Sequence, residues 1–487
     1  MTDWAYRRDL RLLNRTLTEY RGPGTDGGKY ICPMGTLQRE ELEGRLRIQL
    51  RPDIRWSRGD AVLTGSDVAR RLWEMAQVGT EAYQPEWEQI LDTIRLEDVF
   101  KIDIALRRHH VLPQGLLQAI LPDDAAPVQA DQPPPTLGPY HVFSQESHET
   151  VFVVNDQYFD ASDSQPKEIV ERYLPESKQA IAALRRGEIQ VLDRVRPWEV
   201  EELRSAEAWV VEPYAVPLVH CLVPNLRKPL TAHPGFRRAL VFGIDREEIL
   251  KHLLGGKERD GCRVVSGPFP PGSTRDDPLG YAYDDGLTPR PYDPTLAIAL
   301  AEVALREVAA RGKKDEEKTE APPKEAMPRP KLVLAHAPDA VAQTACEAIR
   351  RQLHEVGIEL ELRAFGPGEP VGLSDDVDLV YVELAAWEPV VDAWPLLGEN
   401  GMAGAVSPYL SLALRQLRQA TDWRRVSARL REIHRIVYDE VAVVPLWQLT
   451  DHFLYHRSLR GFGSRPVTLY ENVERWRTAA GQSTEQP

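Results

Sequence analysis

The stretch PGFRRALVFGIDREEILKHLL, residues 234–254, predicts two consecutive helices with a tight joint between them. Pro234 suits a first helical turn because it lacks an N–H group and fixes φ. Gly243 interrupts the first apolar face. Asp245 then restarts the pattern as an N-cap, with Glu248 three residues later, which is the spacing of a capping box. Since each helix has one apolar face, we expect both helices to pack against a core.

The length and composition indicate a soluble, multidomain protein. The chain has 487 residues, which predicts about three domains at ~150 residues each. Its 74 acidic residues outnumber 60 basic ones, for a formal net charge of −14. This balance argues against nucleic acid or an anionic membrane as the main partner. No stretch reaches the ~20 apolar residues of a membrane span, and the first residues lack the apolar region of a signal peptide.

The segment that leads into and includes the two helices has an ordered pattern of residues. The pattern comprises Asn225, Arg227, Pro229, Leu230, Arg238, Ala239, Leu240, Gly243, Ile244, Asp245 and Arg246. It resembles the signature segment of the peptide- and nickel-binding family of ABC-transporter solute-binding proteins (family 5).

Further segments resemble phrases of the same family in the same order. They are LRPDIRWSRGDAVLTGSDV (50–68), TLGPY (136–140), ALRRGEIQVLD (183–193), YDP (292–294), QLHEVGIELEL (352–362) and VVPLW (443–447). The resemblance extends from about residue 10 to 465. Each phrase alone is weak, but their order and spacing are specific. The family's first strand and export signal would precede Met1, so the chain resembles an N-terminally truncated or divergent member.

The resemblance implies an α/β, periplasmic-binding-protein-like two-lobed fold (type II, cluster C) with an extra domain and a two-strand hinge. The implied division is 1–30 in lobe I, 31–160 in the extra domain II, 161–225 in lobe I, 226–445 in lobe III and 446–487 in lobe I again. We expect the two hinge segments, near 217–226 and 445–455, to lie side by side because both are apolar and β-like.

The function implied by the resemblance is capture of a peptide or similar small solute between two lobes by hinge closure. A monomer would deliver this ligand to the membrane subunits of an ABC permease, without nucleic acid, cofactor or catalysis. The family implies a periplasmic or extracytoplasmic location, and a genuine start at Met1 would imply a cytoplasmic one. One alternative is a ligand-sensing module of the same fold without a transport role. Another is a hydrolase, although the sequence contains no GxSxG or HExxH motif and no P-loop lysine.

The candidate ligand wall is VELAAWEPVVD, residues 382–392. Peptide-binding relatives carry a tryptophan that packs against the ligand and, three residues later, an aspartate that pairs with the peptide α-amine. Trp387 matches the tryptophan, whose alternative role is in the core, but Val390 stands at the aspartate position. We therefore expect weak or no binding of free di- and tripeptides. The candidate ligand-binding residues are Trp387, Glu388, Asp392 and Glu383.

Metal and disulfide chemistry have little support in the sequence. Cys32, Cys221, Cys262 and Cys346 form no CxxC pair, and their disulfide state cannot be assigned from their spacing. The pair His109-His110 has no third ligand at a useful spacing, so we expect a solvated loop there and no metal site.

Residues 313–329 are highly charged, contain prolines and show no periodicity, so the sequence predicts a disordered insertion in a surface loop. Such a segment buries almost no apolar surface. Its deletion should therefore shift the melting temperature by less than about 2 °C. Differential scanning calorimetry of the full chain and the deletion variant measures this shift. A large loss of stability would show that the segment docks on the folded protein.

Overall fold

The computed structural model describes residues 4–40, 44–58, 60–121, 135–174, 176–274, 276–312, 329–366, 369, 371–404 and 407–478. The predicted insertion 313–329 lies outside this part of the chain, apart from residue 329. Across these ranges no helix is long and apolar enough to span a membrane. All four cysteines are free thiols.

The N-terminal part of the chain contains a helix, a short hairpin and a compact antiparallel sheet. Its elements are α1 (Trp4–Leu13), β1 (Glu19–Tyr20), β2 (Tyr30–Ile31), β3 (Gly35–Glu40), β4 (Arg45–Leu50), α2 (Gly65–Ala76), α3 (Pro85–Ile90), β5 (Leu91–Asp98), β6 (Lys101–Leu106) and a 3-10 helix (Pro113–Leu117). The sheet has the order β3-β4-β6-β5. Helices α2 and α3 cover its apolar face, and the buried Trp56 and Trp87 fill the core between them. Thr64 and Asp67 cap α2 with a complete capping box.

The next part of the chain packs against helix α1. Its elements are β7 (Tyr140–Gln145), β8 (Glu149–Val154), β9 (Glu168–Arg172), α4 (Ser177–Arg185), β10 (Val191–Val195), α5 (Val200–Arg204) and β11 (Trp209–Pro213). Tyr140 of β7 and Phe152 of β8 are buried in one cluster with Leu12 of α1 and Phe453 from the C-terminal part. The division into lobes stays a proposal, and this packing favours a boundary of domain II before residue 140 rather than at residue 160.

The largest unit is a three-layer α/β structure. Its elements are β12 (Leu218–Pro224), α6 (Pro229–Ala232), α7 (Pro234–Gly243), α8 (Arg246–Leu253), β13 (Arg263–Val264), a 3-10 helix (Pro278–Ala282), α9 (Pro294–Gly312), β14 (Lys331–His336), α10 (Ala340–Glu355), β15 (Glu359–Ala364), β16 (Leu379–Leu384), α11 (Pro389–Leu397), α12 (Pro408–Arg418), α13 (Trp423–Glu440) and β17 (Val444–Leu449). The strand order is β13-β17-β12-β16-β14-β15. Strand β14 pairs in parallel with β15 and β16, and the other pairs are antiparallel. Helices α7 to α10 cover one face, and α11 to α13 cover the other.

The predicted helical pair is confirmed as α7 and α8, and half of its predicted capping box is present. The Asp245 carboxylate accepts the Glu248 N–H at 3.0 Å. The Asp245 N–H, however, donates to Gln352 of α10 at 2.8 Å. Gly243 is closely packed at the joint, since a Cβ there would lie 3.1 Å from the Leu353 side chain, which would have to shift to accommodate it. The joint therefore fixes how the pair sits on α10.

The chain crosses twice between the large sheet and a smaller sheet of order β10-β18-β11. The last elements are β18 (His452–His456), β19 (Leu459–Arg460), a 3-10 turn (Val473–Arg475) and β20 (Arg477–Thr478). Strands β12 and β17 are antiparallel neighbours, which confirms that the two predicted segments lie side by side. Both strands belong to the large sheet, and the connections run through residues 214–217 and 450–451. The Tyr214 N–H donates to the Asp451 carbonyl at 2.9 Å and joins the two connections.

The family pattern includes Arg238, but the neighbouring Arg237 is the arginine that is buried in this fold. Arg238 is exposed, whereas Arg237 is only 3% exposed. The Arg237 guanidinium donates to the carbonyls of Glu440 and Val441, both at 2.8 Å. These carbonyls end α13, where Val441 has a left-handed φ of 50°, a strained conformation for a β-branched residue. Arg237 therefore stabilises the turn between α13 and β17.

Replacing Arg237 with methionine should lower the free energy of unfolding by roughly 2–4 kcal/mol, because it leaves the buried carbonyls without donors. Arg238→Met is a matched control, since this exposed side chain donates only to the Asp439 carbonyl at 3.1 Å. The control should change stability by no more than about 0.5 kcal/mol. Chemical denaturation measures both variants, and equal effects would contradict the assigned role of Arg237.

Candidate ligand-binding cleft

Trp387 lies where the large α/β unit meets the N-terminal elements. It follows β16 and precedes α11, and its ring stacks on that of Tyr20 in β1, with centroids 5.6 Å apart and an interplanar angle of 24°. The Cζ atom of Arg7 in α1 lies 4.4 Å from the centre of the Trp387 ring. Tyr20 belongs to a small apolar cluster with Val216 of the first crossing. Trp387 therefore joins the large unit to the N-terminal elements α1 and β1, at the boundary between the two sheets.

The carboxylate of Glu388 is buried and fully engaged by protein groups. One oxygen accepts the Gly28 N–H at 2.6 Å and the Tyr30 hydroxyl at 3.5 Å, and the other accepts the Tyr281 hydroxyl. Burial raises the pKa of Glu388 to about 7, with a smaller contribution from Asp392. These contacts favour a role for Glu388 in holding the N-terminal hairpin against the large unit.

The turn at Gly27-Gly28 fits closely against this cluster. A Cβ at Gly28 would lie 2.1 Å from the Tyr20 ring and 2.8 Å from the Glu388 carboxylate. Gly27 has a φ of +75°, and a Cβ there would collide with Trp423. Only glycine therefore allows the turn to present its N–H group to Glu388.

Asp392 supplies a carboxylate next to Trp387, at a position different from the one that the family pattern emphasises. It accepts the Glu388 N–H at 3.0 Å. Burial raises the pKa of Asp392, and the positive charge of Arg7 opposes this rise. The Val390 side chain instead lines a small cavity of about 20 Å³ with Ile90 of α3. The absence of a carboxylate at position 390 therefore does not leave Trp387 without an acidic neighbour.

Glu383, the fourth residue predicted for the site, belongs to a separate cluster around Arg194. The Arg194 guanidinium donates to Glu383 and to Asp451, each at 2.7 Å. Burial raises the pKa of Glu383 to about 8, although Arg194 opposes this rise. His220 is fully buried, so its pKa falls to about 3, and it shares a hydrogen bond of 2.7 Å with Tyr381.

The backbone of Arg194 is strained at this point. Its φ is +50°, and the register of β10 against β18 shifts between Leu192 and Val195. Left-handed backbone in a non-glycine residue is rare and occurs often at functional sites. Here the irregularity aims the arginine from β10 towards β16 and the second crossing. Arg194 thus connects the two sheets directly.

Several residues of these clusters were not predicted from the sequence. They are Arg7, Tyr20, Gly28, Tyr30, Arg194 and Tyr281. The Asp26-Gly27-Gly28 stretch is a recognisable turn signal, but nothing local pairs it with a carboxylate some 360 residues away. Contacts of this kind become visible only once the topology brings the N-terminal hairpin to the end of β16.

A family comparison identifies the chain. The profile described as "Bacterial extracellular solute-binding proteins, family 5 Middle" matches residues 41–398, well over half of the sequence. The chain belongs to this family. One curated relative is di/tripeptide-binding protein 2 of Pseudomonas aeruginosa (strain UCBPP-PA14), which is 31% identical over 125 residues. That alignment covers 26% of this chain and only 21% of the relative's length.

Solved structures of similar proteins support the fold of this family 5 member. The periplasmic binding protein DppA from Helicobacter pylori, in complex with the peptide STSA, has a TM-score of 0.80 at 17% identity, covering 98% of this chain and 94% of DppA. MoaA from A.tumefacien R10, in complex with mannopinic acid, has a TM-score of 0.81 at 16% identity, covering 98% of this chain and 95% of MoaA. The predicted two-lobed solute-binding fold is therefore confirmed.

The shifted pKa of Glu388 predicts a pH dependence of stability. Its folded-state value of about 7 lies above the ordinary 4.5, so the native state binds more protons than the unfolded state between these values. The stabilisation is complete below pH 4.5 and is lost as the pH rises through about 7. Its size is on the order of 3 kcal/mol.

Glu388→Gln should remove this contribution, so its unfolding free energy should fall less between pH 5 and pH 8 than that of the unmodified chain. Denaturation curves at the two pH values measure the difference. Glu146→Gln replaces an exposed carboxyl group and should keep the original pH dependence. Identical pH dependence in the Glu388 variant and the unmodified chain would contradict this account.

Proposed function

We propose that this protein is the solute-binding component of an ABC transporter and captures a peptide or similar small solute between its lobes. The observation that carries the proposal is the stack of Trp387 on Tyr20, with ring centroids 5.6 Å apart, across the boundary between the two sheets. Because the chain crosses this boundary at two adjacent connections, rotation about them would open and close the same boundary. A solute held there would be enclosed by both lobes.

Membership of family 5 supports this function, and the relatives support the class of ligand. DppA was solved with a peptide and MoaA with mannopinic acid, so proteins of this fold hold different polar solutes. We extend to this chain the extracytoplasmic location, the monomeric state and the permease partner that the family implies. We propose binding without catalysis.

The geometry suggests a distinct role for each candidate residue. Trp387 would supply a flat apolar wall, and Asp392 would serve as the acidic anchor for a cationic group of the solute. Glu388 is occupied by Gly28, Tyr30 and Tyr281 and would shape the cleft. Glu383 would act through its ion pair with Arg194 across the boundary. The expectation of weak or no binding of free di- and tripeptides, which depended on position 390, stays a prediction that ligand titration tests.

Isothermal titration calorimetry against a panel of di- and tripeptides, free amino acids and opine acids tests the proposal. Trp387→Ala should weaken binding of any ligand found by about ten-fold or more, since a buried tryptophan is a common binding hot spot. Asp392→Asn should weaken only those ligands that carry a cation. Mass spectrometry of the recovered ligand should show it unchanged.

Asp285→Asn is the matched control for Asp392→Asn, because Asp285 is exposed in the large unit outside the cluster around Trp387. It should leave every affinity unchanged. If no member of the panel binds, or if binding is insensitive to Trp387→Ala, solute capture at this boundary is wrong. Turnover of a bound ligand would instead support a hydrolase.

A further inference from the structure

The cluster around Trp387 contains a cation supplied by the chain itself. The Arg7 guanidinium lies over the Trp387 ring, with 4.4 Å from Cζ to the ring centre, well within the range of a cation–π contact. The same charge acts on the Asp392 carboxylate. The Trp387 ring and the Asp392 carboxylate thus already interact with one positively charged group, the Arg7 guanidinium. This is the arrangement that a cationic solute would need.

Two polar groups in the same cluster are left without partners. The Tyr20 hydroxyl and the Trp387 Nε1–H are buried and form no hydrogen bond among the described residues. Tyr20 is only 5% exposed. Burial, together with the charges of Glu388 and Asp392, raises the pKa of Tyr20, so its hydroxyl stays protonated and available as a donor. A buried unsatisfied donor is costly, so these two groups favour an occupant with an acceptor oxygen.

Arg7 can supply the cation of such an occupant but not its acceptor oxygen. A guanidinium has five N–H donors and no acceptor. It can satisfy the ring face and the Asp392 carboxylate, but it cannot accept a hydrogen bond from Tyr20 or Trp387. A solute that carries a cation next to a carbonyl or carboxylate oxygen could place the cation against the Trp387 ring and the Asp392 carboxylate. Its oxygen could then accept hydrogen bonds from Tyr20 and Trp387.

The position of α1 allows Arg7 to leave without unfolding the helix. Arg8 pairs with Glu171 at 2.8 Å and with Asp193 at 3.1 Å, and Arg11 pairs with Glu474 at 2.7 Å. Leu12 is completely buried beside them. The helix is therefore anchored by Arg8, Arg11 and Leu12, and Arg7 reaches the cleft through its side chain.

We propose that Arg7 is a resident placeholder in the ligand subsite, displaced by solutes that carry both a cation and an adjacent acceptor oxygen. The inference rests on the proposed function and adds a ligand class and a specificity-determining residue to it. Since the binding-competent state is only the fraction of molecules with Arg7 withdrawn, Arg7 weakens the apparent affinity by that fraction. It also disfavours solutes that bring a cation alone.

Calorimetric titration with three probes tests this proposal. Tri-alanine carries an α-ammonium beside a carbonyl, N-acetyl-tri-alanine lacks the cation, and methylguanidine lacks the acceptor. Arg7→Ala and Arg7→Gln should both bind tri-alanine about ten-fold tighter than the unmodified chain. Neither variant should gain affinity for N-acetyl-tri-alanine, and both should bind methylguanidine more weakly than tri-alanine. Thermal unfolding of each variant confirms that it is folded.

Arg51→Ala is the matched control, because Arg51 also lies over an aromatic ring, 5.0 Å from the centre of Phe159, and its hydrogen bonds go to Asp53 and Phe159, outside the cluster around Trp387. It should leave all three affinities unchanged. Equal or weaker tri-alanine binding by the Arg7 variants, or no binding by them, would overturn the inference. If the Arg7 variants do not bind tri-alanine more tightly, but another solute of the panel binds and Trp387→Ala weakens that binding, the placeholder role of Arg7 is wrong and the proposed function still holds.

Discussion

The structure depends on one constraint, which is that the chain crosses between its two principal sheets twice and that both crossings are neighbours. Strands β12 and β17 pair inside the large sheet, and the Tyr214 N–H joins the two connections through the Asp451 carbonyl. Two short connections held together permit rotation about a single line more readily than sliding or separation.

The contacts across that boundary include charged and hydrogen-bonded groups beside the aromatic stack of Trp387. Arg194 joins Glu383 and Asp451, and Glu388 joins the N-terminal hairpin through hydrogen bonds. A buried ion pair stabilises a fold only slightly, because the cost of desolvating the charges offsets the attraction between them. Hydrogen bonds and ion pairs require a specific geometry, so these polar contacts depend on the relative position of the two sheets.

Local features were predictable from the sequence because their causes are local. The capping box of Thr64 and Asp67, the helices α7 and α8, and the βαβ unit of β14, α10 and β15 follow from residues a few positions apart. The family pattern includes Arg238 but not Arg237, and nothing in the sequence indicates that Arg237 is the buried one, because which of two adjacent arginines faces inward depends on where α13 ends. The contacts of Glu388 and Arg7 could not be predicted, since they join residues that lie hundreds of positions apart.

The same distinction explains why the family does not determine the ligand. DppA shares 17% of aligned residues with this chain and yet has a TM-score of 0.80, so the fold tolerates almost complete replacement of its side chains. Affinity for a small solute, by contrast, depends on a few polar groups placed to within fractions of an ångström. In this chain the groups that we propose for this role include one carboxylate, on Asp392, and two donors, on Tyr20 and Trp387. Because a carboxylate and two N–H or O–H donors lie in one cluster, we expect the cleft to prefer a solute that carries both a cation and an acceptor oxygen over an apolar one.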